Sequence, residues 1–103
     1  MPSPSPIEKE ERIVKPGSTF FITGGGNGIG AKAAELAVGK GHRVAVADID
    51  ESAASDLCER LGDKALVVRL DVRDVAGWEK ALDAAWEHFG GIDILVNNAG
   101  LIH

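Results

Sequence analysis

A run of glycines placed directly after an apolar strand constrains the fold of this chain more than any other feature. Ser18–Thr23 is short, apolar and rich in aromatic and β-branched residues, which predicts a buried strand. The strand leads straight into Gly24–Gly30, which contains five of the 13 glycines. A helix is predicted from Gly28 to about Lys40, because the apolar residues there recur at helical spacing on one side. Those residues are Ile29, Ala33, Leu36 and Ala37.

The same alternation of strand and helix continues along the chain. Further strands are predicted at Arg43–Asp48, Ala65–Leu70 and Ile92–Asn97, because these runs are short and apolar. Two further helices separate them, with Asp50 and Asp74 in place to cap their N-termini. Their predicted packing faces comprise Ala54, Leu57, Cys58 and Leu61 in the first, and Val75, Trp78, Leu82, Ala85, Trp86 and Phe89 in the second.

Four strands separated by three helices predict an α/β fold with a doubly wound parallel sheet of the Rossmann type. The expected strand order is 3-2-1-4, with the first two helices on one face of the sheet and the third helix on the other. The strands are nearly all apolar, as a sheet covered on both faces requires. Only one helix is available for the second face, and the fourth strand forms an edge. We therefore expect an incomplete sheet that can self-associate along that edge.

The composition excludes several classes of function. The 103 residues carry a net charge of −5, and no basic stripe is present to bind nucleic acid. No apolar run approaches the roughly 18 residues that a membrane-spanning helix needs. The single cysteine, Cys58, cannot form an internal disulfide and fits a reducing compartment, so we expect a cytoplasmic protein. Residues 1–17 are expected to form a flexible arm ahead of one domain at 18–103.

The glycine loop is a candidate phosphate site, although a tight strand-to-helix turn would favour the same residue type. Glycines let the backbone approach a phosphate closely, next to the N–H groups at the start of a helix. A P-loop is excluded, because its lysine would have to follow Gly30 directly, where Ala31 stands. The dinucleotide fingerprint fits loosely as Gly26-x-Gly28-x-x-Ala31, whereas T-G-x-x-x-G-I-G over Thr23–Gly30 fits the strand end better.

Asp48 favours a dinucleotide as the ligand of this loop. It ends the second strand 18 residues after Gly30, close to the ~20 residues expected for the acid that binds the adenosine ribose. Its charge would repel the 2′-phosphate of NADP, and no Arg or Lys follows before Arg60, so we expect NAD to be preferred over NADP. An ordinary strand-end carboxylate is the alternative, and Asp50 is better placed as the helix cap.

With N-N-A-G at Asn97–Gly100, the chain resembles the short-chain dehydrogenase/reductase family from Ser18 onwards. Four features match in order: Thr23–Gly30, the acidic strand end at Asp48, Asp71-Val72 after the third strand, and Asn97–Gly100. The resemblance implies that the loop binds a pyrophosphate, that Asp48 binds the ribose, and that Asp71 and Val72 flank the adenine. It also implies that Asn98, Ala99 and Gly100 line the cofactor cleft and brace the sheet. The cofactor-binding residues implied are Gly24, Asn27, Gly28, Ile29, Gly30, Asp48, Asp71, Val72, Asn98, Ala99 and Gly100.

The residues that catalyse hydride transfer in this family are not found in the sequence. The family uses a Tyr-x-x-x-Lys pair with a serine and an asparagine, and this chain contains no tyrosine. We expect those elements to follow position 103 and assign no catalytic residue. No metal site is predicted, because His42, His88 and His103 are not spaced as ligands. The remaining chemically distinctive side chains are interpreted as core residues: Cys58, Trp78 and Trp86.

The predicted function is that of the NAD-binding portion of an oxidoreductase that transfers a hydride between NAD and an alcohol or carbonyl substrate. Such a substrate would bind only in a completed protein. Two alternatives stay open. One is a nucleotide-binding module without catalysis, completed by a partner or by self-association, and the other is a scaffold that binds nothing.

Overall fold

The computed structural model of this chain describes residues 17–98. The described part contains four β-strands and three α-helices in alternation, as the sequence predicts, and Gly62–Lys64 form a short 3-10 helix. The arm expected at 1–17 lies outside the described residues except for Gly17. In chain order the elements are β1 (Thr19–Thr23), α1 (Gly28–Gly39), β2 (Arg43–Asp48), α2 (Glu51–Leu61), β3 (Ala65–Arg69), α3 (Val75–Phe89) and β4 (Ile94–Asn97).

The four strands form one parallel sheet in the order β3-β2-β1-β4, which confirms the predicted fold class. In β1, Ile22 is aligned with Val46 of β2 on one side and with Val96 of β4 on the other. Because all the strands run in the same direction, their carboxyl ends meet at one edge of the sheet. The segments that follow each strand therefore lie side by side at this carboxyl edge.

The two faces of the sheet carry separate apolar clusters. Successive residues of a strand point to opposite faces, so Ile22 packs against α1 and α2, whereas its neighbour Phe21 packs against α3. Ala34 and Leu57 belong to the first cluster, and Ala81 belongs to the second. The predicted placement of two helices on one face and the third on the other is thus confirmed.

The buried side of α1 differs from the predicted one. Gly30, Ala34 and Ala37 are the buried residues of this helix. Ile29 is 78% exposed and Leu36 is 56% exposed, so only Ala33 and Ala37 of the four apolar residues at helical spacing pack against the sheet. Small side chains on the inner face let the helix axis lie close to the strands, and the larger residues then fall on the outer face. Helical spacing alone does not distinguish these two faces, because apolar residues occur on both.

The helix caps follow the predictions in part. Asp50 caps α2, because its side chain accepts the N–H of Ala53 at 3.1 Å. Asp74 precedes α3 with extended backbone, but its side chain makes no capping hydrogen bond. The Asp50 side chain therefore stabilises the N-terminus of α2, whereas the Asp74 side chain makes no such bond at the N-terminus of α3.

The predicted packing stripe of α3 is correct at only some of its positions. Ala85 is buried against the sheet and Trp78 packs against the same cluster, as predicted, and Ala81, which lies outside the predicted stripe, is buried with them. Trp86 is 57% exposed and Val75 is 85% exposed, so their predicted burial is wrong. Leu82 and Phe89 also pack against this cluster, so the covered stripe is narrower than the predicted one but includes most of it.

At the edge where the strands begin, two side chains accept hydrogen bonds from backbone N–H groups. Asp93 accepts the N–H of Thr19 at 2.8 Å and donates its own N–H to the Thr19 carbonyl at 2.9 Å. His42 is buried and accepts the Ser18 N–H through Nδ1 at 3.2 Å. These bonds fix the strands at the end that lies away from the glycine loop.

One edge strand of the sheet carries an exposed apolar side chain. β4 ends the sheet on one side, and Leu95 on this strand is 54% exposed. Self-association along this edge stays a prediction.

Within residues 17–98, none of the helices has the length and apolar character that a membrane span needs.

The orientation of α1 predicts different costs for two substitutions on the same helix. Ala34 is fully buried, so Ala34→Leu forces extra volume against the sheet and should lower the free energy of unfolding by about 1–3 kcal/mol. Leu36 lies on the exposed side, so Leu36→Ala should change this free energy by about 0.5 kcal/mol or less. Urea unfolding followed by circular dichroism measures both values. Equal costs for the two variants would contradict the observed orientation.

Candidate functional site

The glycine loop joins β1 to α1 at the carboxyl edge of the sheet. Gly24 has a φ of 63° and Gly28 has a φ of 57°, in the left-handed region that residues with a Cβ rarely adopt. The N–H of Gly24 donates to the Ala47 carbonyl at 2.7 Å. This bond ties the start of the loop to the end of β2, so the loop is a defined turn.

Two other glycines of the loop leave no room for a side chain. A Cβ on Gly30 would overlap the carbonyl oxygen of Gly24 and would lie 2.9 Å from Asn98 Nδ2. A Cβ on Gly26 would lie 3.0 Å from Asp48 Oδ2. The backbone of the loop therefore packs directly against its surroundings on both sides.

The first turn of α1 presents backbone N–H groups at the same edge. Asn27 precedes the helix with extended backbone, at a φ of −140°, and its side chain makes no capping hydrogen bond. The first N–H groups of a helix have no acceptor within the helix, and the helix dipole makes this end partly positive. Asn27, Gly28 and Ile29 are all exposed. This end of α1 can therefore bind an anion that approaches from solvent.

Asp48 ends β2 with its carboxylate turned towards the glycine loop. Oδ2 accepts the N–H of Gly26 at 3.0 Å, and Oδ1 accepts the N–H of Asp50 at 3.0 Å. These two bonds fix the orientation of the side chain, and each carboxylate oxygen can accept a second hydrogen bond. Asp48 is half-buried. Its carboxylate is thus placed to accept hydrogen bonds from two neighbouring hydroxyl groups of a ligand.

Asp71, which follows β3, forms a two-point ion pair with Arg73. Nη2 of Arg73 lies 2.9 Å from Oδ2 of Asp71, and Nε lies 3.0 Å from Oδ1. The backbone N–H of Arg73 also donates to Oδ1 at 3.0 Å. The side-chain hydrogen bond is the main reason why the pKa of Asp71 falls from 3.8 to about 2. The same bond raises the pKa of Arg73, so both groups are charged at neutral pH.

A cleft of about 280 Å³ lies at this edge of the sheet. It is lined by Gly24 after β1, by Asp48 at the end of β2, and by the Asp71-Val72 pair after β3. These predicted residues come together because β2 lies between β1 and β3 in the sheet. The whole lining consists of Gly24, Asp48, Ile49, Leu70, Asp71, Val72 and Arg73.

Three residues of the cleft, Ile49, Leu70 and Arg73, are not among the predicted site residues. Each of them is the immediate chain neighbour of a predicted residue. Their position at the end of a strand is the signal that could have found them. Along the sequence, no cation follows Asp48 before Arg60. The sheet nevertheless brings Arg73 into the cleft that Asp48 lines, because β3 pairs with β2.

Asn98 joins the end of β4 to the glycine loop. Its side chain is buried and donates from Nδ2 to the Gly24 carbonyl at 3.3 Å. Thr23, at the end of β1, places its Oγ1 2.9 Å from Oδ1 of Asn97. The two bonds link the carboxyl ends of β1 and β4. Ala99 and Gly100, the other predicted residues of this motif, lie outside the described residues.

The cysteine thiol does not line the cleft. Cys58 is buried in the cluster beneath α1 and α2, which confirms its predicted place in the core. Burial raises the pKa of its thiol to about 11, and a thiol that stays protonated is a poor nucleophile.

Across residues 17–98, no three His, Cys, Asp or Glu side chains are grouped as metal ligands would be.

The similarity to known proteins extends over nearly all of the chain. A family model described as short chain dehydrogenase matches residues 18–103. The chain belongs to the short-chain dehydrogenase/reductase family. The matched region begins immediately before β1 and includes the glycine loop, Asp48, Asp71 and the N-N-A-G motif.

Relatives in the short-chain dehydrogenase/reductase family resemble most of this chain but are much longer. The 3-beta-hydroxysteroid dehydrogenase of Comamonas testosteroni is 37% identical over 86 residues, which cover 84% of this chain and 34% of that protein. The L-2,3-butanediol dehydrogenase of Corynebacterium glutamicum is 45% identical over 86 residues, which cover 79% of this chain and 33% of that protein. The chain thus spans about a third of the length of the curated relatives it matches.

A solved structure from the family also has the same backbone arrangement. It is the crystal structure of 3-ketoacyl-(acyl-carrier-protein) reductase from Brucella melitensis complexed with NADH, with a TM-score of 0.76 and 35% sequence identity. The match covers 78% of this chain and 33% of that one. The similarity therefore holds for both the sequence and the fold.

The packing of Gly30 predicts an effect opposite to that of an ordinary helical glycine. Alanine stabilises a helix relative to glycine by about 1 kcal/mol. Gly39→Ala should follow this rule, because nothing lies within 4 Å of a Cβ at that position. Gly30→Ala should instead lower the free energy of unfolding by about 1–3 kcal/mol, since its Cβ overlaps the Gly24 carbonyl. Chemical denaturation compares the two variants, and a stabilised Gly30→Ala protein would show that the loop is not packed as described.

The ion pair of Asp71 and Arg73 predicts a displaced acid titration. NMR of the side-chain carboxyl carbons should give Asp71 a pKa of about 2, and Arg73→Gln should return it towards 3.8. Because the pKa is lowered in the folded state, the pair stabilises the fold above the ordinary pKa, and this contribution is lost as the pH falls through about 2. A wild-type pKa near 3.8 that Arg73→Gln leaves unchanged is the outcome that would rule out the pair.

Proposed function

We propose that this chain is the NAD-binding portion of an oxidoreductase. The observation that carries the proposal is the position of the Asp48 carboxylate, which lies in one cleft with Gly24 and accepts the Gly26 N–H at 3.0 Å. In dinucleotide-binding folds of this type, a carboxylate beside the phosphate-binding loop hydrogen-bonds the adenosine ribose of NAD. The family match supports the proposal, as does the similar reductase structure complexed with NADH.

The pyrophosphate would bind at the start of α1. The backbone N–H groups of Gly28, Ile29 and Gly30 belong to the first turn of the helix and would donate to the phosphate oxygens. Asn27 makes no capping hydrogen bond to these groups and is itself exposed. The left-handed turn at Gly24, with a φ of 63°, directs the chain out of β1 and into the loop that precedes α1.

The adenosine would lie along the cleft between the ends of β2 and β3. Asp48 would accept hydrogen bonds from the two ribose hydroxyls, with its carboxylate already oriented by backbone N–H groups. Asp71 and Val72 would flank the adenine, and Ile49 would add an apolar contact, since all three line the cleft. Asn98, whose side chain donates to the Gly24 carbonyl, would continue the cofactor cleft on the other side of β1.

We further propose that NAD is preferred over NADP. A 2′-phosphate on the bound ribose would meet the negatively charged Asp48, which is half-buried and held in place by two backbone N–H groups. Repulsion between like charges is screened less at a partly buried position than on an open surface. A fixed carboxylate cannot turn away without losing both hydrogen bonds.

The reaction that we propose for a completed chain interconverts an alcohol and a carbonyl compound. Bound NAD supplies a hydride acceptor, and NADH supplies a hydride donor. Two relatives are named as dehydrogenases of a 3-beta-hydroxysteroid and of L-2,3-butanediol, and the similar solved structure is named as a 3-ketoacyl reductase. In this scheme the residues of the present chain bind and orient the cofactor, and no catalytic residue is assigned among them.

A nucleotide-binding module without catalysis is the second candidate. The 103 residues contain no tyrosine, so neither candidate places the proton-transferring residue expected for the family among them. Both candidates predict NAD binding. Only the first predicts that a chain completed to the length of its relatives reduces NAD with an alcohol.

We propose the cytoplasm as the location of the protein. Cys58 is its single cysteine, so an internal disulfide cannot form. The thiol is also buried in the core. A chain without disulfides is what a reducing compartment favours.

Isothermal titration calorimetry of the 103-residue chain with NAD tests the site. Asp48→Asn removes charge-assisted hydrogen bonds to the ribose and should weaken NAD binding about tenfold or more. Asp56→Asn makes the same chemical change at an exposed position of α2 and should leave the affinity unchanged.

Two results of this titration would count against the proposal in different ways. If the wild-type chain does not bind NAD at millimolar concentration, the cofactor site is wrong. If NAD binds the wild type and Asp48→Asn equally well, only the ribose assignment is wrong. Circular dichroism of each variant establishes that the fold is retained.

A further inference from the structure

The cleft contains a cation that the proposed contacts to NAD do not use. Arg73 lines the cleft together with Asp48 and Asp71, and its side chain is 82% exposed. Among the described residues that line the cleft, it is the one cation. The planar guanidinium of arginine binds phosphate groups through two parallel hydrogen bonds. An arginine at this position would therefore attract a phosphorylated ribose unless another group already held it.

Asp71 is that other group. It binds the guanidinium through both Nε and Nη2, at 3.0 Å and 2.9 Å, and also accepts the backbone N–H of Arg73. A 2′-phosphate that captured Arg73 would break this pair. With Arg73 bound to the phosphate, Asp71 would lose its cation partner, and Asp48 and Asp71 would both repel the phosphate. The exchange of partners is opposed by both carboxylates.

Neighbouring bonds fix the turn that carries Arg73 beside the end of β2. The N–H of Leu70 donates to the Asp48 carbonyl at 3.1 Å. The indole Nε1 of Trp78 donates to the Val72 carbonyl at 2.8 Å and holds the turn against α3. Because the backbone is held on both sides, Arg73 can change its partner by rotation of its own side chain.

We propose that Asp71 acts as an internal counter-ion that withholds Arg73 from a phosphate on the adenosine ribose, and so sets the selectivity of the cleft for NAD against NADP. The inference rests on the proposed function. Asp48 supplies the repulsion, and Asp71 removes the cation that would otherwise offset it. With the ion pair intact, the side chains of Asp48, Asp71 and Arg73 together carry one net negative charge. Loss of the Asp71 charge makes this local charge zero and releases the guanidinium.

The experiment measures the ratio of the Kd for NADP to the Kd for NAD by isothermal titration calorimetry on the 103-residue chain. Asp71→Asn should lower this ratio about tenfold, because the released Arg73 binds the 2′-phosphate. Any effect of the substitution on the adenine, which the two ligands share, weakens both of them alike and cancels in the ratio. The double variant Asp71→Asn/Arg73→Gln should return to about the wild-type ratio, because the released cation is removed and Asp48 again leaves one net negative charge in the cleft.

Arg69→Gln is the matched control, because it removes an exposed positive charge near Asp71 from a side chain that does not line the cleft. Its ratio should equal that of the wild type. The proposal is overturned if Asp71→Asn leaves the ratio unchanged, or if a lowered ratio survives in the double variant; in both cases the NAD site itself stands. If the wild-type chain binds no NAD, the proposed function is wrong and this inference is wrong with it. Thermal melting shows whether each variant is folded.

Discussion

The close approach of Gly30, in the first turn of α1, to the Gly24 carbonyl after β1 is the constraint on which the rest of this structure depends. A Cβ on Gly30 would overlap the Gly24 carbonyl, and the same carbonyl accepts a hydrogen bond from Asn98 Nδ2 at 3.3 Å. The loop, the first helix and the end of the fourth strand are thereby joined at one point. The first turn of α1 is aimed at the carboxyl edge of the sheet because of this junction, and the proposed phosphate contacts depend on that direction.

The parallel strand order places ligand-binding groups around this junction. β2 lies beside β1, so Asp48 reaches the loop and accepts the Gly26 N–H. β3 lies beyond β2, so the ion pair of Asp71 and Arg73 borders the same cleft. β1 has β2 on one side and β4 on the other, and in a doubly wound sheet such a point of reversal is where ligands bind. The site thus combines residues that are far apart along the chain.

The amino-acid sequence predicts the strand order, the placement of the helices and the edge of the sheet that carries the motifs. Each of these depends on local residue patterns and on the rules by which strands and helices connect. The rotation of α1 could not be predicted, because Ile29 and Leu36 fit the apolar spacing as well as the buried Ala34 does. Close packing against the sheet selects the smaller residue. Arg73 could not be placed beside Asp48 either, because their proximity exists only once β3 pairs with β2.

The central claim is that the carboxyl edge of this sheet binds a nicotinamide dinucleotide. Amide chemical shifts of the isotope-labelled chain, recorded during a titration with NAD, test this most directly because they locate the contact. We expect saturable changes at Gly28–Gly30, at Asp48 and at Asp71–Arg73, and no changes at His42 and Asp93 on the opposite edge. Saturable changes confined to the opposite edge, or no saturable change at all, would contradict the account.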